Sequence, residues 1–330
     1  MESYILGIDL GGTKVLAAVL DAEGRIISRA RAKSKAWRDD EAVFQTVAQA
    51  ARSAIESAGI GTDRVAAIGI GAPGPLDPGT GYIIESSNMK FDNFPMGPRL
   101  SEEFGCPAIL DNDVNAGTYG EFKAGAARGA RDVLGMFVGT GIGGGLIING
   151  SLYHGFSKNA GEVGHIIIKA GSGSPRCGCG NRGCLEAFAS RTAMTRDIRK
   201  AIKGGKKSAV SKLLKKETDV LSGGDLKKAY YAGDELVTKV VHRAAKLIGV
   251  GLGSLVNVLA PEIVVMGGGV VEAMGDDFIK VIDRSTRKVA VDFATKDLRI
   301  VRAELGDDAG VIGAAMLARE ATAIANWKSA

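Results

Sequence analysis

His165, Cys177, Cys179 and Cys184 are the residues whose types and spacing point most directly to chemistry. A histidine is followed after eleven residues by Cys-x-Cys and after four more by a third cysteine. Gly178, Gly180 and Gly183 lie among the thiols and allow the tight turns that ligands on one short loop require. One imidazole with three thiolates is the donor set of a closed tetrahedral zinc site. A disulfide is the rival, but Cys177 and Cys179 could bridge only with severe strain, and any pairing strands one thiol. Cys106 lies elsewhere and reads as a small buried hydrophobe. The spacing therefore predicts structural Zn²⁺. Glu162 stands three residues before His165 and Glu186 two after Cys184. A metal that folds this loop would fix both acids and leave the second nitrogen of His165 facing a ligand.

Asp111-Asn112-Asp113-Val114-Asn115 follows the apolar run Ala108-Ile-Leu, so it falls at the C-terminal end of a strand, where open α/β sheets place ligands. Residues 116–123 then read as a helix. A carboxylate here can take a proton from a substrate hydroxyl while the neighbouring amides orient that substrate. The same residues also make a good helix N-cap.

Glycine turns supply the third feature. Tyr4–Leu10 turns through Gly11-Gly12-Thr13-Lys14 into Val15–Leu20, and Val133–Val138 turns through Gly139–Gly145 into Leu146–Ile148. Both read as hairpins of apolar β-formers. Gly139-Thr-Gly-Ile-Gly-Gly144 formally matches the dinucleotide fingerprint, but that motif needs a helix directly after it, and here a strand follows. A hairpin of glycines instead presents successive backbone N–H groups to an anion. Asp9, at the end of the first strand, could hold Mg²⁺ directly or through water, or could cap its own turn. A third turn, Gly267-Gly268-Gly269, follows the strand 262–266.

The elements that must position these groups are legible from period. Residues 41–58 read as a helix, 65–70 as a buried strand, and 236–259 as an interior helix, apolar all round, with Gly249, Gly251 and Gly253 on closely packed faces. Residues 200–232 read as a Lys-rich surface insertion of short helices. The helix 309–325 is expected to cross back onto the first half, which makes the first domain discontinuous. The picture is two α/β halves, each opening with a glycine-turned hairpin.

Composition narrows the class. The 330 residues suit two domains, and a hydrophobic fraction of 45% with 24% charged residues is that of a globular protein. Glycine is abundant at 47, but without a three-residue period and with only 8 prolines, which excludes collagen and Pro-rich disorder. Aromatics at 5% argue against base-stacking platforms. The net charge of +5 is local: between Arg196 and Lys228 stand 11 Lys/Arg against 4 Asp/Glu. That pattern reads as a solvated helical face, and no nucleic-acid partner is expected. No run approaches the ~18 apolar residues of a membrane span. The start has neither a basic n-region nor an apolar h-region, so a cytoplasmic setting is expected.

Taken together, Asp9-Leu-Gly-Gly-Thr-Lys14, Gly71-Ala-Pro-Gly-Pro-Leu-Asp77, Asp111-Asn-Asp-Val-Asn115, Gly139-Thr-Gly-Ile-Gly-Gly-Gly145, Glu162-Val-Gly-His165 and Cys177-Gly-Cys-Gly-Asn-Arg-Gly-Cys-Leu-Glu186 resemble the ROK family of repressors and sugar kinases. Within it the likeness is greatest to the bacterial glucokinases, and it spans essentially the whole chain. The last two motifs, in register, are the most specific.

The resemblance implies an actin/hexokinase-like, duplicated ribonuclease-H-like α/β fold: two domains with an interdomain cleft and a zinc-binding loop. The expected small domain is 1–114 plus 308–330, and the large domain 115–307. Asp113 matches the catalytic base toward a sugar 6-hydroxyl. Asn112, Glu162, His165 and Glu186 match sugar contacts, and Asn88 with the loop 71–77 is a weaker candidate. His165 also matches a zinc ligand beside Cys177, Cys179 and Cys184. Asp9, Gly11, Gly12, Thr13 and Lys14, with Gly139, Thr140, Gly141, Gly143 and Gly144, match the phosphate and Mg²⁺ region, and Gly267, Gly268 and Gly269 the adenosine side.

The implied activity is Mg-ATP-dependent phosphorylation of a hexose, glucose first, with N-acetylmannosamine, N-acetylglucosamine, allose or fructose and a polyphosphate donor left open. A dimer or tetramer is implied. Family repressors carry an added DNA-binding domain ahead of this region, and the expectation is a chain without one. A sugar-responsive regulator without kinase activity and an actin-like filament-forming ATPase are the rival classes.

Overall fold

Runs of β-branched and aliphatic residues set the strands, and most end where glycine or a carboxylate interrupts them. In the computed structural model, which describes residues 3–34, 39–85, 89 and 91–328, β1 (Tyr4–Leu10) turns into β2 (Lys14–Leu20), followed by β3 (Ile26–Lys33). α1 (Asp40–Ser57) starts at Asp39, whose carboxylate accepts from the N–H of Ala42. Then come β4 (Val65–Ala72), β5 (Leu76–Asp77), β6 (Tyr82–Glu85), β7 (Asp92–Phe94), α2 (Met96–Phe104), β8 (Ala108–Asn112) and α3 (Asp113–Ala124). The chain continues through β9 (Val133–Val138), β10 (Ile142–Ile148), β11 (Ser151–Leu152), α4 (Leu185–Ala189), α5 (Arg191–Lys203), α6 (Gly223–Tyr231) and α7 (Glu235–Leu259). It closes with β12 (Ile263–Gly267), α8 (Gly269–Met274), α9 (Asp276–Arg287), α10 (Asp292–Thr295), β13 (Arg299–Arg302) and α11 (Ala309–Lys328).

Two five-stranded sheets follow one plan. The first has the order β3–β2–β1–β4–β8, with antiparallel β1/β2 and β2/β3 pairs and parallel β1/β4 and β4/β8 pairs. The second has the order β11–β10–β9–β12–β13, with β12 parallel to both β9 and β13. In each, a hairpin-led group of three strands is extended by two later parallel strands, which is the duplication expected from the paired glycine turns. A small sheet β5–β6–β7 is added between β4 and β8.

The chain divides into two compact units, one of residues 1–129, 145–160 and 307–330, the other of residues 130–144 and 161–306. In the first, Leu6, Ile8, Ile68, Ile70 and Leu110 pack with Val43, Phe44 and Val47 of α1. On the other face α11 lies directly on the sheet: a Cβ at Gly7 would sit 2.0 Å from the Val311 carbonyl oxygen, and one at Gly69 1.8 Å from that of Ala314. Glycine is demanded there by helix–strand contact.

The structure differs from the sequence expectation in three places. β10 begins at Ile142, so Gly143–Gly145 belong to a strand and not to the turn. A Cβ at Gly144 would meet Val163 Cγ2 at 2.6 Å, so close packing explains that glycine. α7 is buried along one face and not all round, with Lys239, Arg243 and Lys246 exposed. Gly249 does sit on a packed face, where a Cβ would stand 2.6 Å from the Ile282 carbonyl oxygen. The basic segment is not wholly superficial: Val210, Leu221, Leu226 and Ala229 are buried, and a Cβ at Gly223 would lie 2.4 Å from the Gly269 carbonyl oxygen. Among the described residues no helix is long and apolar enough to cross a membrane.

Candidate active site

In the first unit the site is built at the ends of β1 and β8. The β1–β2 turn closes with the N–H of Gly11 donating to the Lys14 carbonyl (2.9 Å), and Ser34 N–H ties down the Thr13 carbonyl (3.0 Å). A Cβ at Gly12 would meet nothing, and Gly12 has no positive φ. Neither packing nor a left-handed backbone demands glycine there, so the main chain of the turn is open at Gly12. Asn112, ending β8, caps α3: its Oδ1 accepts from the N–H groups of Val114 (2.9 Å) and Asn115 (3.2 Å). The amide therefore does the capping that the sequence left open between these residues. Asp113, half-buried as the first helical residue, also receives the Val114 N–H, at 2.9 Å. Gly71 brings β4 close beside it, since a Cβ there would lie 3.3 Å from Asp113 Cα.

Asp9 is held under the start of α11, where a Cβ at Gly310 would come within 3.0 Å of its carboxyl carbon. Burial, then the nearby charge of Asp113, push its pKa up from 3.8 to about 7, with Lys14 opposing. Lys14 is itself tied to Asp307 at 2.6 Å. Two carboxylates short of positive charge are a fitting place for a divalent cation, and Asp9 would hold Mg²⁺ here.

A raised carboxyl pKa means the ionised form is penalised on folding, so this group costs stability progressively as pH rises from about 4 to about 7. Asp9→Asn is therefore expected to melt higher than the wild type without added metal. The gain should be near zero at pH 4 and about 1–3 kcal/mol above pH 7, discounted for partial exposure. Thermal melts from pH 4 to 8 check this; a gain that ignores pH would remove the carboxylate repulsion.

In the second unit the β9–β10 turn folds with Gly139 N–H donating to the Gly141 carbonyl at 2.9 Å. A Cβ at Gly139 would meet open space, as at Gly12. The half-buried Glu186 reaches this turn: its Oε2 accepts from Ile142 N–H at 2.9 Å and its Oε1 lies 3.5 Å from Cys177 Sγ. The third turn, at the end of β12, has Gly268 at φ 86° against the Val138 backbone, with Gly269 open.

His165, Cys177, Cys179 and Cys184 come together, with all ligand atoms within 4.8 Å of one another. Cys179 and Cys184 Sγ are 3.7 Å apart, and Cys177 Sγ is 3.5 Å from His165 Nδ1. Tetrahedral bonds of ~2.3 Å to sulfur and ~2.05 Å to nitrogen give edges of about 3.8 and 3.6 Å, so the group fits zinc. Burial pushes the Cys177 and Cys184 thiols up, so forming their thiolates requires a cation beside them. With Nδ1 turned to the thiols, His165 Nε2 faces Glu162, 3.7 Å away and exposed. Gly180 (φ 92°) and Gly183 (φ 89°) supply the left-handed turns of the loop. Asn88 lies outside the described residues.

Residues 5–321 match the family model of ROK. The chain belongs to the ROK family. A glucokinase of Halalkalibacterium halodurans is 34% identical over 319 residues, covering 97% of this chain and 96% of the relative. The ROK hexokinase from Thermus thermophilus superposes with a TM-score of 0.79 at 34% identity, over 97% of this chain and 99% of that one. A ROK family glucokinase from Streptomyces griseus, in complex with glucose and AMPPNP, superposes with a TM-score of 0.82 at 30% identity, over 96% of this chain and 100% of that one. The two matched mixed sheets of this ROK protein are the actin/hexokinase-like α/β fold.

Sequence reasoning missed one residue beside the ROK strand-end motif. His154 Nε2 lies 2.6 Å from Oδ2 of the buried Asp111, which also accepts from Asn115 Nδ2 (2.9 Å) and Asn112 N–H (2.7 Å). The pair braces the backbone that carries Asn112 and Asp113. A lone histidine in Leu-Tyr-His-Gly carries no local signal of it.

Proposed function

We propose that this ROK protein transfers the terminal phosphoryl group of ATP to the 6-hydroxyl of a hexose, glucose first. The observation that carries the reading is the carboxylate of Asp113. It stands at a strand end whose helix is capped by the adjacent amide, close enough to Asp9 to raise that group's pKa. The likeness to the Halalkalibacterium halodurans glucokinase supports it, as does the nucleotide analogue with glucose bound by the Streptomyces griseus glucokinase.

Phosphoryl transfer passes through a loose in-line transition state, so the protein mainly positions reactants and offsets spreading charge. The bond from the terminal phosphorus to the departing ADP oxygen breaks as the sugar oxygen bonds to that phosphorus. Asp113 accepts the hydroxyl proton late in the transfer and returns it to solvent. Gly12 and Thr13 in the first turn and Thr140 and Gly141 in the second offer N–H groups to phosphate oxygens, Gly11 and Gly139 close those turns with their own N–H groups, and Gly267–Gly269 serve the adenosine side. Mg²⁺ held at Asp9 would supply charge compensation for the nucleotide. Asn112 orients the hydroxyl, and Glu162, Glu186 and the Nε2 side of His165 select the sugar. Buried polar groups matched to particular hydroxyls reject epimers strongly, because a mismatch leaves them unpaired. Zn²⁺ on His165, Cys177, Cys179 and Cys184 would serve as the fastener of that loop.

The deciding experiment is ADP release, measured by a coupled assay with ATP and Mg²⁺ against about a dozen hexoses and N-acetylhexosamines, and polyphosphate as a second donor. Turnover with glucose at ordinary enzymatic rates is expected. Sugar binding with no turnover on any of them would replace the kinase reading by that of a sugar-responsive regulator.

A further inference from the structure

The second glycine turn is gripped on one side by the start of α5. Arg191 N–H donates to the Gly139 carbonyl at 3.0 Å, and Thr192 offers its hydroxyl at 2.8 Å and its N–H at 3.4 Å to the Thr140 carbonyl. These peptides are trans, so each N–H points opposite to the carbonyl of its own peptide unit. With both carbonyls aimed at α5, the N–H groups of Thr140 and Gly141 face away from it, on the side left for an anion.

The Arg191 side chain reaches the same turn. Its Nη2 donates to Thr140 Oγ1 at 2.6 Å, while its Nε is buried without a partner. Among the described residues the guanidinium makes no ion pair, and the first turn of α5 holds no acidic residue. A cation with an unspent donor and no ion pair among the described residues is therefore fixed to the hydroxyl of this turn, which the Glu186 carboxylate meets further on, at Gly141 and the Ile142 N–H. Because Thr140 Oγ1 accepts from Arg191, its own hydrogen is free to be donated onward.

We propose that Arg191 is a ligand of the nucleotide's polyphosphate chain, its guanidinium and the Thr140 hydroxyl holding one phosphate group that the turn's N–H groups also receive. This rests on the kinase reading and adds to it a charged residue that no motif of the sequence singles out. Charge-assisted bonds from a guanidinium to a phosphate are among the stronger ones available to a protein, and the fork geometry favours them over a lysine.

Three variants separate this from a mere brace on the turn. Arg191→Ala is expected to raise the KM for ATP and the Kd for ADP about 10- to 100-fold, with the KM for sugar changed less than about two-fold. Arg191→Gln can still bond to Thr140 but carries no charge, and should behave as Ala does; Arg191→Lys should recover part of the loss. The salt dependence of ADP affinity should weaken in Ala and Gln relative to wild type. ADP binding by Arg191→Gln at wild-type affinity would overturn the proposal and leave Arg191 a brace. If Arg191→Ala does not fold, the Gln and Lys pair still gives the answer. Failure of the wild type to bind ADP would appear before any variant is made, and would sink the kinase reading itself.

Discussion

Asp113→Asn is expected to lower kcat by at least about 100-fold while sugar affinity stays within a few-fold, the usual scale for losing a positioned general base. The substitution is nearly isosteric. Asn112 carries the cap of α3 through its own Oδ1, so the helix start should survive. An asparagine oxygen can still accept the Val114 N–H that Asp113 receives at 2.9 Å. What it cannot do is take a proton from the sugar hydroxyl. It also removes the charge that helps raise Asp9, so the Asp9 pKa should fall back toward the ordinary carboxylate range. Steady-state kinetics with sugar binding by calorimetry check the first point, and carboxyl titration by NMR checks the second. Turnover near that of the wild type would take the base role away from Asp113.

Loss of the metal from the His165–Cys184 loop carries the other large effect. Cys179 is exposed while Cys177 and Cys184 are buried, so Cys179→Ser removes one donor without opening a hole in the core. Metal analysis should find one zinc per chain in the wild type and little in the variant. Sugar affinity is expected to fall about 10- to 100-fold and the melting temperature to drop with it. The link is physical: Glu162 and His165 stand on the loop that the metal would close, and Glu186 ties it to Ile142 N–H at 2.9 Å. Cys106→Ser, away from the cluster, should leave both unchanged. A metal-free protein with intact sugar affinity would contradict the fastener role.

Much of this was legible in the sequence, because the signals are local. The two hairpin turns, the strand end at Asp111–Asn115 and the order of the four metal donors depend on residues within some twenty positions of one another, where type and spacing suffice. The extent of the second turn was not: Gly144 looks like any other glycine until Val163 is seen packed against it. The start of α6 reads as surface until Gly223 is found against Gly269.

The sequence by itself determined the classes of chemistry on offer: a zinc-type donor set, backbone anion turns and a carboxylate between amides. Only the tertiary structure decided how these groups are wired. Asp111 meets His154 across 43 positions, Ile142 meets Glu186 across 44, and Thr140 meets Arg191 across 51. Burial and then the charge of Asp113 lift Asp9, and Asp113, first residue of α3, is brought to it only because β8, which leads into that helix, follows β4 in the parallel order β1–β4–β8. Such pairs are set by which strands and helices lie side by side, a property of the whole folded chain, and electrostatics and hydrogen bonding act over that spatial distance and not along the sequence.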